Sequence, residues 1–262
     1  MGDFAERYGP WAVVTGAAEG VGLAFTESLL ERGCSVVLVD RLPKVAEVAT
    51  SLGDRTRSVV ADLTDPAWLR SVIAATAGLE IGLAVANAAA SFVGSFLDQP
   101  AASRAATVQV NCLGTTELAA WALPPMVARG RGGFIATSSG SALAGTAAVA
   151  TYSASKAYVL NLAEAIGWEL RGTGVDCQAV VAPAMDTPGW RAHPVDPSKL
   201  FQPPTDPRTV VDGALDRLGE GGWYLADPGI ELVAGLDRRE RVDLLSSTTS
   251  ALYLDRYPRP RA

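Results

Sequence analysis

Short apolar, β-branched runs recur along this chain at residues 11–15, 35–39, 57–61, 81–86, 133–138, 175–181 and 222–226, spaced widely enough for a helix between successive runs. Intervening stretches such as LAFTESLLERG and AYVLNLAEAIGW carry apolar residues at helical rather than alternating spacing. Alternating strand and helix predicts an α/β architecture: a doubly wound, parallel, seven-stranded sheet with helices on both faces. Right-handed crossovers would place the C-terminal ends of the strands along one edge, where a ligand would sit. Neither an internal repeat nor a low-complexity linker divides the chain, so residues 1–262 read as one domain of the Rossmann type.

The first strand runs into TGAAEGVG, with Gly16, Gly20 and Gly22 around Val21, and a helical pattern follows. Strand, glycine turn and helix let a backbone approach a pyrophosphate, which the free amides and positive dipole end of the helix favour. The second strand ends in Asp40, an acid placed to accept hydrogen bonds from adenosine ribose hydroxyls and to repel a 2′-phosphate. Arg41 could hold that phosphate, whereas Glu19 in the turn argues against it. Two acids against one arginine favour NAD over NADP.

Farther along, YSASK sets Tyr152 and Lys156 four residues apart, about one helical turn, with Ser139 thirteen residues before the tyrosine. A phenol of ordinary pKa ~10 needs about 4 kcal/mol of preference for phenolate to ionise near neutrality. An ammonium ~4 Å away at an effective dielectric of ~20 would supply roughly that. The three side chains read as an acid/base tyrosine tuned by lysine, with a serine hydroxyl to polarise a carbonyl. Taken alone, Tyr and Lys at this spacing more often belong to an amphipathic surface. The glycine turn changes that balance.

Together these motifs resemble the short-chain dehydrogenase/reductase family from Trp11 to about Gly229, with some likeness of YGPWAVVTGA to its 17β-hydroxysteroid and long-chain 3-oxoacyl reductase branch. The resemblance implies a catalytic set of Asn111, Ser139, Tyr152 and Lys156, with the helix of Asn111 distorted to support a proton relay. It places Gly16, Glu19, Gly20, Val21, Gly22, Asp40 and Arg41 around the dinucleotide, and Asp62 and Leu63 at the adenine. Asn87, Ala88 and Ala89 would support the cofactor. Tyr152 and Lys156 would meet the nicotinamide ribose, and Pro183, Met185 and Thr187 the nicotinamide carboxamide. Two departures stand out: Ala89 occupies a position that is usually glycine, and Ala182-Pro183 stands near the usual Pro-Gly. In the implied reaction a hydride moves between nicotinamide and a carbinol or carbonyl carbon, with Tyr152 as phenolate taking the hydroxyl proton during oxidation.

From Pro188 to Pro207 the chain turns proline-rich and carries Trp190, His193 and Phe201, which reads as a loop over the substrate. Trp190 and Phe201 would line an apolar pocket or anchor the loop. His193, the only histidine, lies between Ala192 and Pro194, and the Tyr–Lys pair leaves it no required acid/base task. Ala142, Leu143, Ala144 and Val149 add to an apolar environment, and Ser139, Ser141, Leu143, Tyr152, Met185 and Trp190 are the expected substrate contacts. A hydroxysteroid or other bulky secondary alcohol fits; a 3-oxoacyl thioester, or a dinucleotide-binding regulator without turnover, are the alternatives.

Composition narrows the partners. With 48% hydrophobic residues and a formal charge of −6, nothing attracts nucleic acid or an anionic membrane surface. Apolar stretches fall short of the ~18 residues of a spanning helix, and the acidic start MGDFAERYG is unlike a signal peptide. Cys34, Cys112 and Cys177 are widely spaced, without metal-ligand spacing, and read as reduced thiols of a cytoplasmic protein. No metal is expected. A homo-oligomer, tetramer or dimer, is implied by the resemblance, through helices containing Asn111 and Tyr152. RYPRPRA, within a tail at 255–262, reads as a loose end or an inter-subunit strap.

Overall fold

The computed structural model describes residues 2–193 and 203–253. Its sheet contains β1 (Trp11–Thr15), β2 (Ser35–Asp40), β3 (Thr56–Val60), β4 (Ile81–Ala86), β5 (Gly132–Thr137), β6 (Val175–Val181) and β7 (Trp223–Leu225). All pairings are parallel, in the order β3-β2-β1-β4-β5-β6-β7. Each apolar run in the sequence has therefore become a strand, with ends shifted by a residue or so.

Two-residue periodicity explains how one sheet builds two cores. In β1, Val13 faces one core while Ala12 and Val14 face the other; in β2, Val37 and Val39 divide from Val36 and Leu38 in the same way. Helices α4 (Trp68–Ala75), α6 (Gly114–Arg129) and α7 (Ala150–Glu169) supply Trp68, Leu118, Met126 and Val159 to the first core. On the second face α2 (Gly20–Glu31), α3 (Val45–Leu52) and α9 (Pro207–Asp216) supply Phe25, Leu29, Val45 and Val211. Two-sided cover is why the central strands read as continuous apolar runs. The short α1 (Gly2–Tyr8) precedes the sheet, and α5 (Ala101–Val108) leads through a π-helical turn, Gln109–Leu113, into α6.

Because β1 pairs with β2 on one side and β4 on the other, chain direction across the sheet reverses there. That reversal opens a crevice at the C-terminal strand ends. The described ends of the proline-rich segment are less irregular than the sequence implies. Thr187 caps α8 (Pro188–Arg191), Met185 bridges Thr205 in parallel, and Pro207 is already the first residue of α9, capped by Asp206. Phe201 and the tail from residue 254 lie outside the described residues. Beyond β7, α10 (Pro228–Gly235) and α11 (Arg238–Tyr253) fold back toward the crevice. Arg241 donates to Leu143 O, Ser246 Oγ donates to Gly145 O, and the same Oγ accepts from Ala147 N, so α11 is held over the loop between β5 and α7. The three cysteines are buried and free.

Candidate active site

The glycine turn is shaped by close backbone approaches. Gly16 has φ +68°, and a Cβ there would lie 2.9 Å from Ala88 Cα; a Cβ on Gly22 would overlap the Gly16 carbonyl oxygen. Only glycine permits both. Asn87 then ties the turn to the end of β4, its Nδ2 donating to Thr15 O at 3.0 Å and Gly16 O at 3.3 Å. Ala88 N donates to Thr15 Oγ1 at 3.1 Å, so Ala89 follows a fixed backbone and its methyl reaches the cavity wall.

At the adenosine end, Asp40 is 7% exposed. Its carboxylate accepts from Ala18 N in the glycine turn and from Leu42 N, each at 2.9 Å. Glu19, at the N-cap of α2, makes no side-chain cap and pairs with Lys44 instead. Arg41 is exposed, and its charge, together with the larger effect of the Thr64 amide, lowers the Asp62 carboxyl. Leu63 is buried against Gly114.

The catalytic candidates converge. Asn111 sits in the π-helical turn, where the widened backbone is the distortion expected of its helix. Its Oδ1 accepts from Ala90 N at 2.7 Å, and its Nδ2 donates to Ala90 O at 3.0 Å and Ser155 Oγ at 2.8 Å, clamping α7 to the loop after β4. Lys156, 3% exposed, donates to Thr137 O at 2.7 Å. Ser139 caps the 3-10 turn Gly140–Leu143 and accepts from Ser141 Oγ at 3.1 Å while hydrogen-bonding Tyr152.

The expected tuning of tyrosine by lysine is not what this arrangement provides. Burial raises the Tyr152 phenol, the Ser139 hydrogen bond pulls it down, and the Tyr253 phenol pushes it up again. Lys156 Nζ stands 5.7 Å from the Tyr152 ring centroid, with the Thr137 carbonyl as its hydrogen-bond partner. Its ammonium is itself lowered to about 8, mainly by burial, with Cys112 acting weakly the other way. The sequence estimate assumed a short direct contact with the phenol, whereas the ammonium's hydrogen bond goes to Thr137 O.

Tyr152, Ser139, Ser141, Lys156, Val21, Asn87, Ala89, Pro183, Met185, Thr187 and Trp190 all border one cavity of about 470 Å³. Its size lies within the ~300–1,000 Å³ of small-molecule sites. Gly16, Glu19, Gly20, Gly22, Asp40, Arg41, Asp62, Leu63, Ala88 and Asn111 are not on its wall, and the first nine flank it at the ends of β1 to β4. Leu143 is a correction: it is 5% exposed in the core below the 3-10 turn, as are Ala142 and Ala144, and none lines the cavity. The 3-10 turn rotates those side chains inward, leaving Ser141 and Val149 on the wall.

Sequence reasoning missed the opposite wall. Leu245, Thr248, Thr249, Leu252 and Tyr253 line the cavity from α11 at i, i+3, i+4, i+7 and i+8. That helical spacing was the available signal, but no motif marked it. His193 also reaches the cavity, its Nε2 3.4 Å from Ser91 Oγ and its pKa lowered by burial.

These residues fit a nicotinamide dinucleotide. Thr137 Oγ1 is buried on the cavity wall with no partner among the described residues. Lys156 has N–H groups beyond the one given to Thr137, and the glycine turn leaves backbone without Cβ cover beside a helix start. A short chain dehydrogenase family model matches residues 10–196. The chain belongs to that family, and is an oxidoreductase acting on hydroxyl or keto groups with a nicotinamide dinucleotide.

Its similarities within the family are specific. It is 30% identical over 223 residues to a 7beta-hydroxysteroid dehydrogenase of Collinsella aerofaciens, covering 82% of this chain and 85% of that protein. It is also 30% identical over 223 residues to the Homo sapiens very-long-chain 3-oxoacyl-CoA reductase, covering 80% and 69%. A solved 7beta-hydroxysteroid dehydrogenase structure superimposes with TM-score 0.84 at 28% identity, over 92% of this chain and 98% of that one. A short-chain dehydrogenase from Sphingobium yanoikuyae in complex with NADPH gives TM-score 0.73 at 30% identity, over 79% and 84%. No helix among the described residues is long and apolar enough to cross a membrane.

Proposed function

We propose that this chain interconverts a secondary alcohol and its ketone on a bulky, largely apolar substrate of the hydroxysteroid kind, with NAD(H) preferred. The observation that carries this reading is the meeting of Tyr152 and Ser139 on a cavity whose wall also holds Val93, Val149, Met185, Trp190, Leu245 and Leu252. Such apolar side chains desolvate a hydrocarbon skeleton while the hydroxyl pair holds its reacting oxygen. When bound, the nicotinamide supplies or accepts the hydride.

The protein's own groups handle the proton and the geometry. Ser139 holds the substrate oxygen, and Tyr152 gives its proton to a forming alkoxide or, as phenolate, takes one from a carbinol. Lys156, fixed by Thr137 O, places positive charge near the phenol ring and offers its remaining donors to a ribose hydroxyl. Asn111 acts through position, by fixing α7 against the loop after β4. Pro183, Met185 and Thr187, on the same wall, would border the nicotinamide.

Asp40 supports the NAD preference. Its buried carboxylate, anchored by two backbone amides, would oppose a 2′-phosphate, and Glu19 with Lys44 forms a neutralised pair rather than a phosphate clamp. Fluorescence titration is expected to give a lower Kd for NADH than for NADPH, and equal or reversed affinities would contradict the preference. A 3-oxoacyl thioester is the second reading, favoured by the likeness to 3-oxoacyl-CoA reductases. Comparing turnover of hydroxysteroids with that of 3-oxoacyl thioesters separates the two. Exposed Val108, Leu113, Tyr158 and Trp168 on α5 to α7 support self-association through those helices.

A further inference from the structure

Besides the hydroxyl pair, the cavity has a second polar group that hydride transfer does not use. Ser91, from the loop after β4, lies 3.4 Å from His193 Nε2. The His193 ring stands edge-on to Tyr253 at 6.5 Å between centroids, and the Trp190 side chain hydrogen-bonds the Tyr253 phenol. Three segments distant in sequence thus bring a hydroxyl, an imidazole and a phenol to one wall, amid apolar residues.

The character of this group limits what it binds. Burial lowers the imidazole and raises the phenol, so both are neutral near pH 7. A neutral imidazole offers one donor and one acceptor, and Tyr253 keeps its own proton to donate while accepting from Trp190. Lys156, beside Tyr152, is the one lysine or arginine among the described residues on the cavity wall. A carboxylate at the second group would have no counter-charge there, whereas a hydroxyl would find both a donor and an acceptor.

We infer that Ser91, His193 and Tyr253 form a second anchor for a neutral hydroxyl other than the reacting one, so that the cavity selects rigid apolar diols and fixes which carbinol meets Tyr152. This rests on the proposed hydroxysteroid reading and adds to it a specificity element. The anchor restricts rotation of the skeleton, because a rigid molecule held at two points has one carbon left in register with the hydroxyl pair.

Paired substrates test it: a steroid diol and the mono-ol lacking only the non-reacting hydroxyl, each assayed by NADH formation. The wild type is expected to favour the diol about 10-fold in kcat/KM, the size of one neutral hydrogen bond. His193→Ala is expected to remove most of that preference by raising KM for the diol, leaving the mono-ol within about 2-fold. Should it disturb the wall, Ser91→Ala on its exposed loop gives the same reading with less disruption. Equal wild-type turnover of diol and mono-ol, or equal losses on both in the variants, overturns the anchor while leaving the hydroxysteroid reading intact. A carboxylate analogue preferred over the diol overturns its neutral character. Absence of wild-type turnover on either steroid overturns the hydroxysteroid reading, and the anchor with it.

Discussion

Asn111 and Tyr253 both stand on helices beside the active-site cavity, yet they are held in different ways. Asn111 is 1% exposed and makes three hydrogen bonds to two elements. Tyr253 is half-buried at the end of a helix that contains no buried residue and is held chiefly through Arg241 and Ser246. The side on which chemistry occurs is thus over-determined, and the opposite wall rests on a few side-chain contacts. Sparse contacts of this kind open at lower free-energy cost, which suits a surface that must admit a large substrate. On the proposed function, reaction geometry falls to one region and substrate choice to the other.

The largest effect is expected on the over-determined side. Tyr152→Phe removes the proton donor and should reduce kcat about 10³-fold with every substrate alike, measured by nicotinamide absorbance. A loss confined to some substrates would break the division of labour. Gly22→Ala should come next: its Cβ would overlap the Gly16 carbonyl, so NADH affinity in fluorescence titration should fall at least ~10-fold while circular dichroism stays near that of the wild type. Retained affinity would show that the turn has room the structure does not give it.

On the α11 side, the effect should be smaller and selective. Leu252→Ala is expected to raise KM for a steroid by about 10-fold while changing that for a small secondary alcohol little, since only the larger molecule reaches that wall. Uniform change would move α11 into the chemistry.

This contrast also explains what could be read from the sequence. Gly16, Gly22, Asp40, Asn87, Asn111 and the Ser139–Tyr152–Lys156 set are legible because each is dictated by backbone approach or by chemistry at a fixed spacing along a strand end or helix turn. Strands are legible for a similar reason, as burial on both faces forces continuous apolar runs. The α11 wall is not legible in that way: Leu245, Thr248 and Leu252 are ordinary helix residues whose role depends on where a distant helix docks. Leu143 failed for the reverse reason, because the 3-10 turn decides which of four neighbouring small or apolar residues faces the cavity. Lys156 was expected to lower the Tyr152 phenol, whereas burial of the phenol raises it, because spacing along a helix says nothing of how deeply a side chain is buried.

The smallest effect concerns stability. Lys156 titrates at about 8 when folded, below its ordinary 10.5, because burial disfavours the ammonium. Below about pH 8 that buried charge costs stability at a constant level. Between about 8 and 10.5 the unfolded chain binds the proton more tightly than the folded protein, so this contribution to stability improves as pH rises. Lys156→Met should therefore raise Tm at pH 7 by about 2–4 °C for each kcal/mol of that cost that the lost bond to Thr137 O does not offset, and flatten the alkaline rise, while abolishing useful turnover. An unchanged Tm and an unchanged alkaline slope would show that the ammonium is better compensated than its surroundings indicate.

The most direct test of the whole account is the initial rate of NADH formation by wild-type protein and Tyr152→Phe across hydroxysteroids, with 3-oxoacyl thioesters assayed in the reverse direction. The account predicts steroid oxidation that depends on Tyr152 and exceeds thioester reduction in kcat/KM. Thioester turnover in excess of steroid turnover, or steroid oxidation that survives in Tyr152→Phe, would contradict it.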